Sequence, residues 1–419
     1  MTRERSIGDT ILQWAEELAN HTETPGMMTR TYLTEAHRGA AGQIARWMSE
    51  AGMNVRTDQA GNVIGRYEAS NQATTGARAL LTGSHFDTVP NGGKFDGNLG
   101  VLLPIACIAE WNRRQKRFPF AIDVIGFAEE EGVRFKATLL GSRAIAGTFD
   151  LAVLDKRDEH GVAMREAMGA AGLSFPRLAE AAYRPQDVAA FVEVHIEQGP
   201  VLLDAGLPVG VVTAISGASR FMVTVHGLSG HAGTVPMGLR RDAAMAAAEI
   251  GLYIESRCAG IPGLVGTVGR LEVVRGAANV VPGEALFSID IRAETDEVRR
   301  AAVQDVLAFM DVVAARRKVR LDVVPTHEAR SVPCAPWLQQ RLADAAASLG
   351  LEARRLPSGA GHDAMAIAAI TDVAMLFVRC GNGGISHHPS ETMTAEDAET
   401  AARVFSRFVE NFADAPTLK

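Results

Sequence analysis

The chain has 419 residues, 47% of them hydrophobic and 22% charged, the balance of an ordinary globular protein long enough for two domains or for one with an insertion. A net charge of -7 and scattered lysines and arginines argue against the basic face that a nucleic-acid partner selects. The start, M-T-R-E-R-S-I-G-D-T, is polar, and the longest apolar stretch, around Val101 to Ala109, is too short to span a bilayer, so neither a signal peptide nor a membrane partner is expected.

In chain order, the first clear element is a helix over 34–51, where Ala36, Ala40, Ile44, Trp47 and Met48 share one face and Gly52 is placed to end it. Ala79 to Thr82 is a short apolar run that stops at G-S-H. Gly100 to Arg114 is patterned as a helix, and Ala121 to Ala128 is a second apolar run that stops at three glutamates. Apolar strands alternating with helices predict an α/β domain, a central sheet flanked by helices, whose ligand site lies beyond the carboxyl ends of the strands. Cys107, Cys258, Cys334 and Cys380 lie far apart with no C-x-x-C pair, which predicts reduced thiols in a cytoplasmic protein.

Residues 217–325 read differently. Ser219 to Val225 alternates as a strand, Met237 to Cys258 is helical, and Val265 to Val274 and Ala285 to Arg292 are strands. Asp296 to Arg316 is a second helix, and Val319 to Val324 closes the set. The order β-α-β-β-α-β is that of a ferredoxin-like α+β unit. It predicts an inserted domain, 213–327, within a larger one formed by 1–212 and 328–419.

Four polar segments carry the chemistry. The first, G-S-H-F-D-T-V-P-N-G-G-K-F-D-G-N-L-G from Gly83, offers His85 and Asp96 as imidazole and carboxylate ligands for zinc or a similar ion. Asp87 is spaced to accept the other ring N–H of His85. The second, A-E-E-E-G-V-R-F from Ala128, brings carboxylates to a strand end, where their repulsion is relieved if one binds a cation and another holds a proton. That pairing is what a general base beside a metal site requires. The third, F-V-E-V-H-I-E-Q-G-P from Phe191, places Glu193, His195 and Glu197 on one face of a strand, which Phe191 shares. The fourth is G-G-I-S-H-H-P-S-E from Gly383. Each alone has an ordinary reading, such as a surface histidine or a solvated acidic face. Four clusters at strand ends in one chain point to a hydrolytic metal site.

Together these segments resemble the dinuclear zinc peptidase and aminoacylase clan, and within it the branch of allantoate amidohydrolases, N-carbamoyl-L-amino-acid hydrolases and β-ureidopropionases. The shared motifs are G-S-H-x-D-T-V, N-G-G-K-F-D-G, E-E-E-G-x-R-F, H-I-E-Q-G-P-V-L, G-x-x-G-H-A-G-T-x-P-M, S-G-A-G-H-D-A and G-I-S-H-x-P, from T-R-T-Y-L-T near Thr29 to the last helix. The resemblance implies two divalent ions per subunit, zinc or manganese, with cobalt and nickel also suited. His85 and His195 would each hold one ion together with a bridging Asp96. Glu131 and His387 would complete the two sets, one on each ion, and His387 rather than His388 matches because it follows the serine.

Glu130 resembles the general base. His231, in H-G-L-S-G-H-A-G-T-V-P-M, matches a residue that reaches into a partner subunit's site to stabilise an oxyanion, which implies a homodimer with the inserted domain as its lid and dimer surface. Asn279 and Arg292 match residues that bind the substrate carboxylate and its neighbours, and Gln198 with the loop Gly359, Ala360, Gly361 and His362 resembles further substrate contacts. The implied substrate is a small ureido carboxylate. The wording T-R-T-Y-L-T-E-A-H-R and A-M-L-F-V-R-C-G-N-G-G-I-S-H is nearest to allantoate amidohydrolases, with an N-carbamoyl-L-amino-acid hydrolase or β-ureidopropionase as the alternative. A dipeptidase or aminoacylase is disfavoured by Gln198 and G-A-G-H-D-A, and a non-catalytic metal scaffold by the intact Glu130–Glu131 pair.

Overall fold

The computed structural model describes residues 5–70 and 78–412; of the polar start, residues 1–4 lie outside them. The chain divides into two compact units, Met1–Thr213 with Cys334–Leu356 and Gly361–Lys419, and Ala214–Pro333 with Pro357–Ala360.

The larger unit is built on a mixed sheet. Strand beside strand it runs Asn54–Thr57, Val63–Tyr67, Ile122–Phe127, Ala79–His85, Val188–Ile196, Val373–Val378 and Val209–Ile215. The four from Ile122–Phe127 to Val373–Val378 are parallel, and their outer neighbours are antiparallel to them. Every residue of those four strands is buried, the reason they read as apolar runs rather than alternating ones. Helices Ile7–Ala19, Asn98–Arg113, Pro336–Ala347 and Ala395–Glu410 pack on one another and against the sheet.

Side-chain caps fix where helices begin: Ser6, Thr34 and Thr394 each accept a backbone N–H of the first turn. Ala395–Glu410 then buries Ala398, Ala401, Ala402, Phe405, Phe408 and Val409, and a buried phenylalanine contributes roughly 1.5–3 kcal/mol. The helix expected over 34–51 spans Glu35–Glu50, with Gly52 at φ +82° behind it. The helix expected from Gly100 begins at Asn98, straight after Gly97. Because the four central strands are parallel, they finish at one edge of the sheet, and the segments that follow them converge there.

The smaller unit is antiparallel. Its sheet runs Leu271–Val273, Glu284–Ala293, Gly217–His226 and Arg320–Ala329, with Leu264–Thr267 also paired to Glu284–Ala293. Glu284–Ala293 alternates buried and half-buried residues along its whole length, so one face of this sheet is covered and the other is not. Helices Ala243–Cys258 and Asp296–Arg317 cover it, around a core that includes Val223, Ile250, Phe287, Ile291, Val306 and Met310. The helix expected from Met237 starts at Ala243. Met237–Leu239 is a separate 3-10 turn, and Asp242 accepts the Met245 N–H to cap the helix proper. The strand expected over Val265 to Val274 is two pieces, parted around Gly269, a residue that weakens a strand interior. No helix among the described residues is long and apolar enough to cross a membrane. The four cysteines are free and buried.

Candidate metal centre

His85 is the last residue of its strand, and His195 stands one residue from the end of the neighbouring strand. Their Nε2 atoms lie 3.6 and 3.4 Å from the same oxygen, Asp96 Oδ1. The other oxygen of Asp96 faces His387 Nε2 at 3.2 Å, and that nitrogen is 3.7 Å from Glu131 Oε1. Ligand atoms of His85, Asp96 and His195 lie within 4.8 Å of one another, and so do those of Asp96, Glu131 and His387.

The structure groups the five residues otherwise than the resemblance implied. His85 and His195 fall together on Oδ1, and Glu131 and His387 on Oδ2. The cause is strand order: the two histidines end adjacent parallel strands, so both side chains reach the same side of Asp96. Both Asp96 oxygens are buried without a hydrogen-bond partner, a costly state for a carboxylate unless cations fill the space in front of it. Imidazole nitrogens and carboxylate oxygens on either side of one shared aspartate are a donor set that fits two divalent first-row ions.

Both histidines on Asp96 Oδ1 are held from behind. His195 Nδ1–H donates to the Ile196 carbonyl at 2.8 Å, which leaves Nε2 as the acceptor that the Gly97 N–H meets at 3.2 Å. His85 Nδ1 donates to the Asp87 main-chain carbonyl at 3.1 Å, with the Asp87 carboxylate 3.4 Å away. That carboxylate, expected to orient His85, takes on a second task. Its two oxygens accept the N–H groups of Glu130 and Glu131 at 3.0 and 3.2 Å and so fix the glutamate turn. Gly97, at φ +66°, lies against the His85 ring, and a Cβ there would stand 2.5 Å from its carbons.

Of the adjacent histidines, His387 faces Asp96, while His388 accepts the Ser390 N–H at 3.1 Å. His387 and Gln198 both adopt left-handed backbone, at φ +54° and +56°, strain of the kind that gathers at functional sites. Gln198 Nε2 donates to Ser386 Oγ at 3.3 Å.

Burial pushes His195 down to about 4, which keeps its imidazole neutral. Burial alone would lower His85 too, but Asp87 and Asp96 hold it well above its usual range. Asp96 likewise brings His387 up to about 8. Burial, then the neighbouring Glu130 and Asp96, raises Glu131 to about 9, and burial with nearby carboxylates raises Glu130 well above a normal glutamate. So many carboxylates in one buried place are stable together only when protons or cations offset them.

Several residues at this edge went unassigned in the sequence. Glu391 accepts Phe95 N and Asp96 N on one oxygen and Ser386 Oγ on the other, tying the Asp96 loop to the His387 loop. Its place five residues after Ser386, at the end of G-G-I-S-H-H-P-S-E, is the signal the sequence offers. Glu193 accepts Ser84 Oγ and Ala364 N. Glu197, expected to share its face, falls beyond the strand end and accepts Val201 N and Leu202 N instead. His362 and Gly361 were expected as substrate contacts: His362 is buried edge-on to His195 with ring centroids 4.5 Å apart, and a Cβ on Gly361 would stand 3.7 Å from Glu130 Oε1.

In the smaller unit, His231 and Asn279 are neighbours on a two-stranded ribbon, with His231 opposite Val280 and the Ala232 N–H donating to the Asn279 carbonyl at 2.9 Å. Both are exposed. Arg292 lies in a groove of about 470 Å³ together with Arg220, Ser288, Asp290 and Gly359. Its guanidinium, expected to await a carboxylate, already forms a two-bond fork with Asp290 (3.0 and 2.8 Å) and donates to the Gly359 carbonyl at 2.7 Å. Residues 290 and 292 share a face of one strand, which makes the pair local. Ala360 N donates to Ser358 Oγ at 3.2 Å.

Residues 81–411 match the sequence profile of Peptidase family M20/M25/M40. The chain belongs to this family. Within it, the chain is 41% identical to an N-carbamoyl-L-amino acid amidohydrolase of Geobacillus stearothermophilus, over 95% of this chain and 96% of that protein. It is 38% identical to allantoate deiminase 1 of Glycine max, over 94% and 87%. Among solved structures it is similar to an amidase of the hydantoinase/carbamoylase family from Burkholderia multivorans, with a TM-score of 0.90, 31% identity and 97% of each chain covered. The family member described here is therefore an amidohydrolase.

Proposed function

We propose that this chain hydrolyses the ureido C–N bond of a small carboxylate with two divalent ions, zinc or manganese, and that its substrate is allantoate. The observation that carries the reading is Asp96: a buried carboxylate whose two unpartnered oxygens face two different ligand groups, with Glu130 beside them. His85 and His195 would hold one ion with Asp96, and Glu131 and His387 the other. When bound, the ions supply Lewis acidity that activates the carbamoyl carbonyl and the attacking water.

The chain's own residues do the rest. Glu130 takes the proton of the attacking water and hands it to the leaving nitrogen. Asp87 keeps that glutamate in place through its backbone N–H. His231 donates to the developing oxyanion from a partner subunit, in a homodimer whose contact surface is the smaller unit; a donor of this sort is typically worth about 3 kcal/mol. Arg292, Asn279, Gln198 and the loop from Gly359 to His362 bind the substrate carboxylate and its polar neighbours. For Arg292 this requires the substrate to share or displace Asp290. The smaller unit acts as a ferredoxin-like lid, and the enzyme is cytoplasmic. Allantoate and water would give ureidoglycine, ammonia and carbon dioxide.

A second reading, an N-carbamoyl-L-amino-acid hydrolase, is favoured by the relative at 41% identity. Ammonia release from allantoate, N-carbamoyl-β-alanine and a set of N-carbamoyl-L-amino acids, measured on metal-loaded protein, separates the two. Turnover of allantoate well above the others is the expected result. Turnover confined to the carbamoyl amino acids replaces allantoate, and no release from any of them removes the ureido assignment.

A further inference from the structure

The motif T-R-T-Y-L-T-E-A-H-R lies before residue 81, outside the stretch matched by the family profile, and no role in the reaction accounts for it. Arg30 within it is fully buried. A buried guanidinium is costly and normally pairs with a carboxylate. Here it meets oxygens of another kind. Nε donates to the Phe86 carbonyl at 2.6 Å, Nη1 to the Leu18 carbonyl at 2.9 Å, and Nη2 to Asn98 Oδ1 at 2.6 Å.

Phe86 follows His85, and Asn98 stands two residues after Asp96. One rigid fork thus spans both loops that deliver the shared ligand group, a geometry that a flexible lysine would not reproduce. The main chain adds to it: Arg30 N donates to Thr88 Oγ1, Thr88 N to the Arg30 carbonyl, and Gly92 N to the Met28 carbonyl.

The third loop is reached by His37. Its Nε2 donates at 2.6 Å to the carbonyl of Ala128, the residue before the three glutamates, and its ring stacks on Phe86 with centroids 4.5 Å apart. Residues 28–37 therefore touch the Phe86 carbonyl next to His85, the Asn98 side chain two residues after Asp96, and the Ala128 carbonyl two residues before Glu130.

We propose that residues 28–37 are a brace that sets the spacing of the three metal-bearing loops, with Arg30 and His37 as its positioning residues. The proposal rests on the two-ion reading of the site. It makes the family's metal centre in this chain dependent on a segment that supplies no ligand.

The test uses the full chain, stripped with a chelator and titrated with Co²⁺ against a competing chromophoric chelator, with the visible Co²⁺ spectrum recorded at saturation. Wild-type protein is expected to take two ions; failure to do so overturns the two-ion reading, and the brace with it, before any variant is made. Arg30→Met is expected to weaken Co²⁺ binding by about 10–100-fold and to change the spectrum at saturation, which a purely destabilising substitution would leave alone. Arg30→Lys is expected to fall between. Wild-type affinity and spectrum in a folded Arg30→Met overturns the brace. Should that variant not fold, His37→Phe decides: it keeps the ring stacked on Phe86 and drops the bond to Ala128. A loss of about 10-fold supports the brace, and unchanged affinity overturns it.

Discussion

The two units hold their polar residues in opposite ways. In the larger one, His85, His195 and Asp96 are almost wholly buried, and the second nitrogen of each of those histidines is spent on a main-chain carbonyl. In the smaller one, His231 and Asn279 stand exposed on a two-stranded ribbon, and Arg292 is engaged by Asp290. The first arrangement is preorganised: burial and main-chain hydrogen bonds fix the ring orientations before a cation arrives. The second has donors but only partial burial at Arg292 and none at His231 and Asn279, so its electrostatic contribution depends on what excludes water from it. Among the described residues, the clusters able to hold an ion all lie in the larger unit, which makes the smaller unit's contribution conditional.

The sharpest way to break the comparison lies within the larger unit. Glu130→Gln keeps the shape of the side chain and removes its ability to carry a proton. Turnover is expected to fall by about 10²–10⁴-fold, while the ion content measured on the same sample stays at two per chain. Full turnover in this variant would take the general base away from Glu130. Loss of both ions would place Glu130 among the ligands, which its ligand atom's proximity to His85 and Glu131 makes a real alternative.

The smaller unit gives the next effect. His231→Ala is expected to cost about 10²–10³-fold in kcat with ion content unchanged. Trp14, Trp47, Trp111 and Trp337 all lie in the larger unit, so tryptophan fluorescence reports that unit and should not move. Mixing the His231→Ala and Glu130→Gln proteins extends the test. If His231 acts across subunits, hybrid dimers contain one intact site and activity returns. If activity stays absent although the variants exchange subunits, His231 serves its own chain or none.

How far these features were legible depends on how local they are. The helix over Glu35–Glu50 is visible because its apolar residues recur on one face, the central strands because burial on both faces leaves unbroken apolar runs, and the polar segments because they interrupt those runs. What could not be read was any arrangement set by strand order. That His85 and His195 share one oxygen of Asp96 follows from the pairing of Ala79–His85 with Val188–Ile196, residues more than a hundred positions apart. The anchoring of Asp96 by Glu391 is of the same kind. The pairing of Arg292 with Asp290 was local and could have been read from their shared strand face. Arg30 and His37 stand in T-R-T-Y-L-T-E-A-H-R with no role legible there, because a buried guanidinium or imidazole that serves carbonyl oxygens leaves no complementary charge in the sequence to find.

The smallest effect concerns protons and again separates the units. Burial pushes His37 down to about 4 in the folded chain, against 6.5 for the free side chain. Between those values the unfolded chain binds a proton that the folded chain refuses, so the stability associated with neutral His37 is full above pH 6.5 and is lost as pH falls toward 4. At pH 5.5 the loss relative to neutral pH is about 1.4 kcal/mol, one unit of pH below the free value. Urea unfolding of metal-free protein, followed by tryptophan fluorescence at pH 7.5 and 5.5, measures it in the larger unit. His37→Phe, with no proton to bind, is expected to lose about that much less over the same interval. An equal loss in both proteins would show that His37 is protonated in the fold, and its bond to the Ala128 carbonyl would then be that of a buried cation rather than of a neutral ring.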